Sequence, residues 1–366
     1  MSGNAPKRVL FVATEFNAGM NAFATTVVNK LSLCQDVEVS FLTVTNDPRV
    51  YNRNSISEYA KEVAIVVYPT NKFIRFLYKF YPIRFIKEYK KMVKRNYDII
   101  HFLTIDFSMV PWLYVTKNWQ SNFFYTVHDV EQHEYNQTFF ERLLSNYFFK
   151  GSCVMREHIN NLNTSSFSQK EKLEKLYPHK NIFYTHAPTV ITKPIIEGNE
   201  PVKELNNISG YILFFGFVDT YKGVDLLITA YNNSNVKNKR KLVIAGKGGQ
   251  NEKLSSNVIR LNRFIKDSEV RDLFEKAAFT VFPYRSATQS AITALAFYFK
   301  KKAIMSDLPF FLDTKTEDTI FFKTGDSEDL REKLDSIVVS DTNGDSYQQL
   351  YSEETLIKDF KKMYTI

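Results

Sequence analysis

The sequence predicts an α/β protein made of two facing Rossmann-like domains, each built on a mostly parallel sheet. Short runs of apolar, β-branched or aromatic residues alternate with helix-length segments through both halves of the chain. Such runs indicate strands buried on both faces, and their alternation with helices indicates parallel βαβ units. The length of 366 residues exceeds the ~100–150 residues typical of one domain. Two domains are therefore expected.

Twelve strands are predicted, about six in each half of the chain. In the first half, the apolar runs place strands at Arg8–Ala13, Val37–Val44, Val63–Tyr68, Asp98–Leu103, Asn122–Val127 and Asn181–His186. In the second half, they place strands at Tyr211–Phe215, Lys241–Ala245, Val258–Leu261, Thr280–Phe282, Lys302–Met305 and Thr319–Phe322.

The domain boundary is expected in Ala187–Gly210, where prolines, glycines and polar residues replace the apolar pattern. We predict an N-terminal domain over residues 1–190, a C-terminal domain over 191–350, and a final helix over 351–366 that can cross back to the first domain. Ligands of open α/β sheets bind beyond the carboxyl ends of the strands. A ligand cleft between the domains is therefore expected.

Other features narrow the class of protein. No stretch approaches the ~20 apolar residues of a membrane-spanning helix, and the N-terminal residues lack the pattern of a signal peptide. Cys34 and Cys153 have neither CxxC nor metal-ligand spacing, so we expect a reduced, cytoplasmic protein without a metal. The absence of GxGxxG argues against a dinucleotide cofactor.

The positive charge of the chain is concentrated in one segment. Lys72–Arg95 carries nine Lys or Arg and one Glu, a net charge equal to the +8 of the whole chain. Two amphipathic helices separated by Pro82 are predicted here, with apolar residues opposite basic ones. Such helices suit an anionic membrane surface. The basic residues expected to contact the membrane are Lys72, Arg75, Lys79, Arg84, Lys87, Lys90, Lys91 and Lys94.

One other interpretation of this segment stays open, and a second is not expected. The helices can pack their apolar faces on the sheet, which leaves an ordinary solvated basic surface. Nucleic-acid binding is not expected, because no nucleic-acid-binding motif accompanies the basic residues.

Several motifs, in order, resemble the retaining, nucleotide-sugar-dependent glycosyltransferases of group 1, which have the GT-B fold of two Rossmann-like domains. In the second half the motifs are ILFFGFVDTYKGVDLL, KLVIAGKGGQ, NVIRLNRFIKDSEVRDLFEKAAFTVFPY and ATQSAITALAFYFKKKAIMSDL. In the first half they are FYTVHDVEQHE and FYTHAP. The resemblance covers most of the chain, and ordered motifs are more specific than any single one.

The resemblance implies a role for each matching residue. Lys222 would be the cation on the donor diphosphate, stabilising the charge that develops as the nucleotide leaves. His128 would contact the transferred sugar, with His133 and His186 as secondary candidates. Further donor-binding candidates are Gly216, Phe217, Arg263, Phe264, Ile265, Arg285, Thr288, Gln289 and Ser290. Asn17 and Gly19 would lie in the acceptor-side loop.

The chain also departs from the family pattern. The family commonly has two glutamates eight residues apart, and Ala287 and Leu295 stand at these positions. A second phosphate cation, usual near Phe217, is absent there, so Arg263 or Arg285 is considered as a replacement.

The expected function is metal-independent transfer of a sugar from a nucleotide-sugar to a lipid-linked or growing glycan acceptor, in bacterial surface polysaccharide synthesis at the inner membrane face. The alternative is an inactive GT-B protein that assists an active transferase at the membrane.

Overall fold

The computed structural model describes residues 5–15, 18–49, 51–106, 122–131, 139–189, 191–249, 254–287, 290, 292–339, 342 and 344–366. The chain forms two compact units. The first contains Met1–Pro188 and Glu353–Ile366, and the second contains Thr189–Ser352. Each unit has its own parallel sheet, which confirms the predicted fold class.

The first unit is built on a seven-stranded sheet in the order β3-β2-β1-β4-β5-β6-β7, with all neighbouring strands parallel. The strands are β1 (Lys7–Ala13), β2 (Val37–Thr45), β3 (Glu62–Val67), β4 (Ile99–Thr104), β5 (Phe123–Thr126), β6 (Asn161–Thr164) and β7 (Asn181–Tyr184). The helices of this stretch are α1 (Ala18–Leu31), α2 (Lys72–Phe80), α3 (Ile83–Val93), α4 (Phe139–His158) and α5 (Phe167–Leu176).

Strand β6 is the one strand of the described residues that the sequence did not predict. Its sequence NLNT is polar, yet all four residues are buried. The Asn161 amide donates to the Phe123 carbonyl (3.0 Å), and the Asn163 amide donates to the hydroxyls of Thr126 (3.3 Å) and Thr185 (3.0 Å). Because neighbouring strands provide these partners, polar side chains are tolerated inside the sheet.

The second unit is built on a six-stranded parallel sheet in the order β10-β9-β8-β11-β12-β13. The strands are β8 (Tyr211–Phe215), β9 (Leu242–Ala245), β10 (Val258–Leu261), β11 (Ala277–Phe282), β12 (Ala303–Ser306) and β13 (Thr319–Phe322). The helices are α6 (Lys193–Glu197), α7 (Val224–Asn233), α8 (Asp267–Glu275), α9 (Ile292–Tyr298), α10 (Pro309–Asp313), α11 (Ser327–Ser336) and α12 (Asp345–Tyr351).

The strand order places a topological switch point in each sheet. Strands β1 and β4 are neighbours in the first sheet, and β8 and β11 are neighbours in the second, although neither pair is consecutive in the chain. The connections on the two sides of such a pair run in opposite directions, which opens a crevice at the carboxyl end of the sheet. Residues that follow β8 and β11 are therefore placed together.

The final helix, α13 (Glu353–Tyr364), belongs to the first unit. Its residues Phe360 and Tyr364 join a core cluster that includes residues of α1, β1 and β2. The Tyr364 hydroxyl lies 2.5 Å from Nδ1 of the buried His101, whose Nε2 lies 2.8 Å from the Thr126 hydroxyl. Burial lowers the pKa of His101 to about 3, so a neutral imidazole joins the helix to the sheet.

Candidate functional site

A glycine lies at the switch point of the second sheet. Gly216 directly follows β8 and has φ = +128°, and a Cβ there would lie 2.7 Å from Ile292 Cδ1 and 3.2 Å from Lys222 Nζ. A residue with a side chain would be strained in this backbone conformation and would crowd both neighbours. Gly216 therefore leaves room for the lysine ammonium group at the carboxyl end of β8.

Lys222 ends a short 3-10 turn, Thr220–Lys222, and is only 6% exposed. Its ammonium lies 5.3 Å from the ring centroid of Tyr284 and 5.7 Å from that of Tyr221, distances that suit cation–π attraction. Within the described part of the chain, Nζ has no hydrogen bond or ion pair. Burial lowers the pKa of Lys222 to about 8, and the nearby Asp219 carboxylate partly offsets this effect.

A buried ammonium without an anionic partner is unusual, because burying a charge is costly unless a partner compensates it. The two ring faces compensate only part of the lost hydration. The positive charge of Lys222 is therefore only partly compensated by the described residues around it.

Arg285 follows β11 and contacts the same turn. Its backbone N–H donates to the Tyr221 carbonyl (2.6 Å), and its Nη1 donates to the Thr220 carbonyl (2.9 Å). Nη1 and Nη2 also donate to the two oxygens of Asp225, at 2.7 and 2.6 Å. The charge of Arg285 is thus already matched, which argues against its use as a second phosphate cation.

Arg263 is also engaged by carboxylates. Its guanidinium contacts Glu204 at 2.7 and 3.0 Å and the buried Glu269 at 2.7 and 2.8 Å. Hydrogen bonding to Arg263 lowers the pKa of Glu204 to about 2. These ion pairs join α8 to the turn at Lys203–Leu205. Arg263 therefore braces α8 against this turn, and its expected place on a donor phosphate stays a prediction.

The aromatic candidates differ in exposure. Phe217 follows Gly216 and is exposed, and Phe264 is 75% exposed, whereas Ile265 is buried. An exposed aromatic ring contributes little to the core and can stack on a flat ligand. Phe217 and Phe264 keep their predicted donor role as candidates, and Ile265 can offer only its backbone.

The loop before α9 falls mostly outside the described residues, which include neither Thr288 nor Gln289. Ser290 is described, and its carbonyl accepts a hydrogen bond from the Thr293 hydroxyl at 2.9 Å. In α9, Leu295 is buried in the core at 3% exposure. The helix thus has an apolar residue where the family commonly has its second glutamate.

The candidates of the first unit lie near the carboxyl ends of its strands. His128 follows β5, and its Nε2–H donates to the Leu103 carbonyl at 2.8 Å, while the Phe23 ring packs edge-on at 4.8 Å. Gly19 lies in the first turn of α1 and not in the extended loop that was expected. Asn17 and His133 lie outside the described residues.

His186 has a structural contact in the first unit. Its backbone N–H and Nδ1 both lie within hydrogen-bonding distance of Asp359 Oδ2, at 2.8 and 2.7 Å. Asp359 belongs to α13. His186 therefore helps to hold the final helix on this unit.

The two basic helices differ in how they place their apolar residues. In α3, Phe85, Tyr89 and Met92 are buried against the sheet. From α2 to the first residue of α3 an apolar stripe is exposed instead, and it consists of Phe73, Ile74, Leu77, Tyr81 and Ile83. The packing interpretation thus holds for α3, whereas α2 leaves apolar surface uncovered by any described residue.

Basic side chains are carried by the same two helices and by the residues that follow them. Arg75 is half-buried, and the exposed residues are Lys72, Arg84, Lys87, Lys90, Lys91 and Lys94. Among the described residues only Lys91 of this group has a carboxylate within 4 Å, namely Glu88 at 3.5 Å. Lys79 lies in α2, but its side chain is outside the description. We call these basic residues and the apolar stripe the basic surface.

Two searches of the described residues gave negative results. No described helix is long and apolar enough to cross a membrane. Likewise, no three or more His, Cys, Asp or Glu side chains of the described part form a group that could hold a metal ion.

The sequence missed three residues of the Lys222 environment, namely Tyr221, Tyr284 and Asp225. Tyrosines beside a βα turn carry no pattern in the sequence. Asp225 in a first helical turn is the ordinary partner of the helix dipole. Only the strand order brings the residues after β8 and β11 together, so sequence spacing could not identify this group.

Comparison with known protein families gives a match within the second unit. Residues 209–339 match the family model of the group 1 glycosyl transferases. Sequence comparison with curated proteins gives no match.

Solved structures are similar over almost the whole chain. Sucrose-phosphate synthase from Thermosynechococcus elongatus has a TM-score of 0.66 at 14% identity, covering 98% of each chain. HepE of Anabaena in complex with UDP and glucose has a TM-score of 0.63 at 10% identity, covering 98% of this chain and 99% of that one. The lipopolysaccharide outer core galactosyltransferase WaaB has a TM-score of 0.60 at 15% identity, covering 98% and 99%. At these identities the likeness concerns the fold alone.

Proposed function

We propose that this chain, whose residues 209–339 match the family model of the group 1 glycosyl transferases and whose fold is like that of sucrose-phosphate synthase, transfers a sugar with retention. The donor is a nucleotide-sugar, and the acceptor is a lipid-linked or growing glycan of a bacterial surface polysaccharide. The observation that carries this proposal is Lys222, a buried ammonium that has no anionic partner among the described residues.

The donor diphosphate is the anion that Lys222 lacks. As the bond between sugar and phosphate breaks, negative charge grows on the leaving diphosphate. An ammonium held in place at low dielectric stabilises this charge more than water does. We assign this electrostatic role to Lys222, and no metal ion is required for it. His128 of the first unit is assigned to the transferred sugar, as the family resemblance implies.

In the proposed reaction, the acceptor hydroxyl attacks the anomeric carbon from the face that the diphosphate leaves. The new glycosidic bond forms as the bond to the phosphate oxygen breaks, and the hydroxyl proton passes to the departing diphosphate. The configuration of the sugar is thereby retained. This step requires a charged Lys222 but no protein nucleophile, so it is compatible with the absence of glutamates at Ala287 and Leu295.

The basic surface is proposed to bring the enzyme to an anionic membrane, where a lipid-linked acceptor would lie. Aromatic and aliphatic side chains enter the headgroup region, and basic residues gain ~1 kcal/mol each near anionic lipids. The exposed stripe from Phe73 to Ile83 and the lysines of the basic surface have this composition.

A thermal-shift panel of UDP-, GDP- and dTDP-sugars tests the donor class. A ligand that binds only the folded state raises the melting temperature, and we expect one nucleotide to do so selectively. Hydrolysis of that donor, followed by NMR of the released sugar, then reports turnover and anomeric configuration. Lys222→Ala should lose the shift, whereas Lys239→Ala, at an exposed lysine of the same unit, should keep it. No shift and no hydrolysis with any donor would refute the proposal.

A second candidate function is a non-catalytic GT-B protein that assists an active transferase. The apolar position of Leu295 in the core of α9 favours it, because no carboxylate is available there. Such a protein should co-purify with another transferase and show no donor turnover. Turnover by the isolated chain would exclude this candidate.

A further inference from the structure

The loop after β11 fastens the turn that carries Lys222. Arg285 reaches the two residues directly before Lys222 through the Thr220 and Tyr221 carbonyls, at 2.9 and 2.6 Å. The adjacent backbone is also close, since a Cβ on Gly223, which has φ = +63°, would lie 2.0 Å from the Pro283 carbonyl oxygen. The turn therefore cannot move without displacing the loop.

Asp225 completes the connection. Its two oxygens accept from Nη1 and Nη2 of Arg285, at 2.7 and 2.6 Å, in the bidentate geometry that gives an arginine–carboxylate pair its directional strength. Asp225 lies in the first turn of α7. A single guanidinium thus holds both sides of Lys222, namely the 3-10 turn before it and the helix after it.

We propose that Arg285 and Asp225 are positioning residues that hold the Lys222 ammonium between the rings of Tyr221 and Tyr284. The proposal rests on the role given to Lys222 above. It assigns Arg285 to the geometry of the site and not to direct contact with the donor phosphate.

Two features of the structure support this assignment. The charge of Arg285 is neutralised by Asp225, so the pair adds little net attraction for an anion. Tyr284 directly precedes Arg285 in the chain, and its ring lies 6.2 Å from that of Tyr221. If Arg285 no longer held the turn, the rings of Tyr221 and Tyr284 could both move away from Lys222. One ring belongs to the 3-10 turn and the other to the loop after β11.

The first test measures Lys222 itself, without any nucleotide. Lysines are ¹³C-dimethylated, the Lys222 signal is assigned by its absence in Lys222→Arg, and its pH titration is followed by NMR. Asp219, Asp225, Arg285 and the two tyrosines are the titratable or charged groups identified around it. In the wild type we expect a midpoint of about 8. Arg285→Gln and Asp225→Asn should raise it by about one unit or more, because water then reaches the ammonium.

The matched control is Arg331→Gln. Arg331 pairs with Glu328 and Asp335 on α11 of the same unit and does not contact the Lys222 turn. It should leave the Lys222 midpoint unchanged. The double variant Arg285→Gln/Asp225→Asn should shift it no further than either single variant, since both residues act through one contact.

The second test uses UDP as the probe and isothermal titration calorimetry as the measurement. A displaced Lys222 should weaken UDP binding about 10-fold, which corresponds to the loss of ~1.4 kcal/mol of interaction with the diphosphate. Arg285→Lys distinguishes the two roles of Arg285. A lysine keeps the charge but lacks the planar fork, so it should restore neither the UDP affinity nor the Lys222 midpoint.

An unchanged Lys222 midpoint in folded Arg285→Gln and Asp225→Asn would overturn the proposal. The proposal would also be overturned if Arg285→Lys recovered the UDP affinity of the wild type while its Lys222 midpoint stayed at the value of Arg285→Gln. Arg285 would then be a phosphate ligand. Circular dichroism verifies folding, and Asp225→Asn alone decides the test if Arg285→Gln does not fold. If wild-type protein binds no nucleotide, the function proposed above fails, while the NMR titration still decides the positioning role.

Discussion

The basic surface of the first unit and the Lys222 site of the second are both rich in cations, but they hold them in opposite environments. On α2 and α3 the lysines with described side chains are exposed and solvated, so salt screens them and each contributes modestly. In the second unit, Arg263 and Arg285 are neutralised by carboxylates, whereas the buried Lys222 forms no ion pair with the described residues. The two regions therefore differ in whether their cations are hydrated, paired with carboxylates or buried without an ion pair, and the proposed roles of the two regions rest on this difference.

The largest effect is expected at Lys222. Lys222→Ala should lower the turnover of the donor found in the panel by about 100- to 1,000-fold, the range for removing one preorganised electrostatic group. Steady-state kinetics measure the loss. Lys222→Arg should recover part of it, because the positive charge is restored in a less suitable shape. A variant without the lysine that keeps full turnover would place the catalytic cation elsewhere.

Each basic residue removed from the basic surface should weaken vesicle binding by a similar, modest amount. Replacing Lys87, Lys90 and Lys94 by Glu should weaken binding to vesicles of phosphatidylglycerol and phosphatidylcholine by roughly 100-fold, from ~1 kcal/mol for each basic residue removed. Sedimentation with vesicles at several salt concentrations measures this.

The control for that experiment replaces Lys203, Lys239 and Lys315, three exposed lysines of the second unit, with Glu. Equal losses in both triple variants would show that net charge and not the basic surface decides the binding. Replacing Phe73, Leu77 and Tyr81 by Ser should weaken the binding in a way that salt does not alter, since those side chains act by apolar burial.

The pH dependence of nucleotide binding should report the buried lysine. The pKa of Lys222 is lowered to about 8 in the free protein by burial, and the terminal phosphate of UDP loses its last proton near pH ~6, so UDP affinity should be highest at about pH 7. Above pH 8 the affinity should fall, approaching tenfold per pH unit, because binding then requires uptake of one proton. Calorimetry in buffers of different ionisation enthalpy detects that proton. Affinity that stays flat to pH 9.5 would contradict the assignment.

Lys222 should also make stability depend on pH, but in the opposite direction to UDP affinity. In the unfolded chain Lys222 has its ordinary pKa of 10.5, so between pH 8 and 10.5 the unfolded state binds more protons than the folded state. The contribution of Lys222 to the free energy of unfolding should therefore rise with pH in this window. Lys222→Met should lack this contribution, and urea unfolding at several pH values compares the two proteins.

The smallest effect on nucleotide binding is expected from substitution of Arg263. Arg263→Gln leaves the buried Glu269 without its partner, so the free energy of unfolding should fall by about 2 kcal/mol. UDP affinity should stay at the wild-type value. Urea denaturation and calorimetry provide the two measurements. A loss of affinity without a loss of stability would return Arg263 to the donor phosphate.

Much of the fold was predictable because apolar runs and turn residues are local signals. Tyr211–Phe215 and Val258–Leu261 are strands with the predicted bounds, and Pro82 separates two helices as expected. Strand β6 was missed because it lacks an apolar run, and the groups that accept hydrogen bonds from its asparagine amides lie far away in the chain. The expectation that Gly19 lies in a loop was wrong, because α1 already begins at Ala18.

The site was predictable only in part. The motif around Gly216 and Lys222 is contiguous in sequence, so a resemblance could identify the lysine. Arg263 and Arg285 were considered as phosphate cations because a sequence shows charge but not pairing. Glu204 is 59 residues from Arg263, and Asp225 is 60 residues from Arg285. No local pattern connects residues at such separations.

The sequence by itself determined the two parallel sheets, the amphipathic basic segment and the position of Lys222 after a glycine-terminated strand, because each follows from neighbouring residues. The tertiary structure alone decided which cation is left without a partner and which amphipathic helix keeps its apolar stripe exposed. The physical reason is that pairing and burial depend on strand order, and strand order brings together residues that the chain separates.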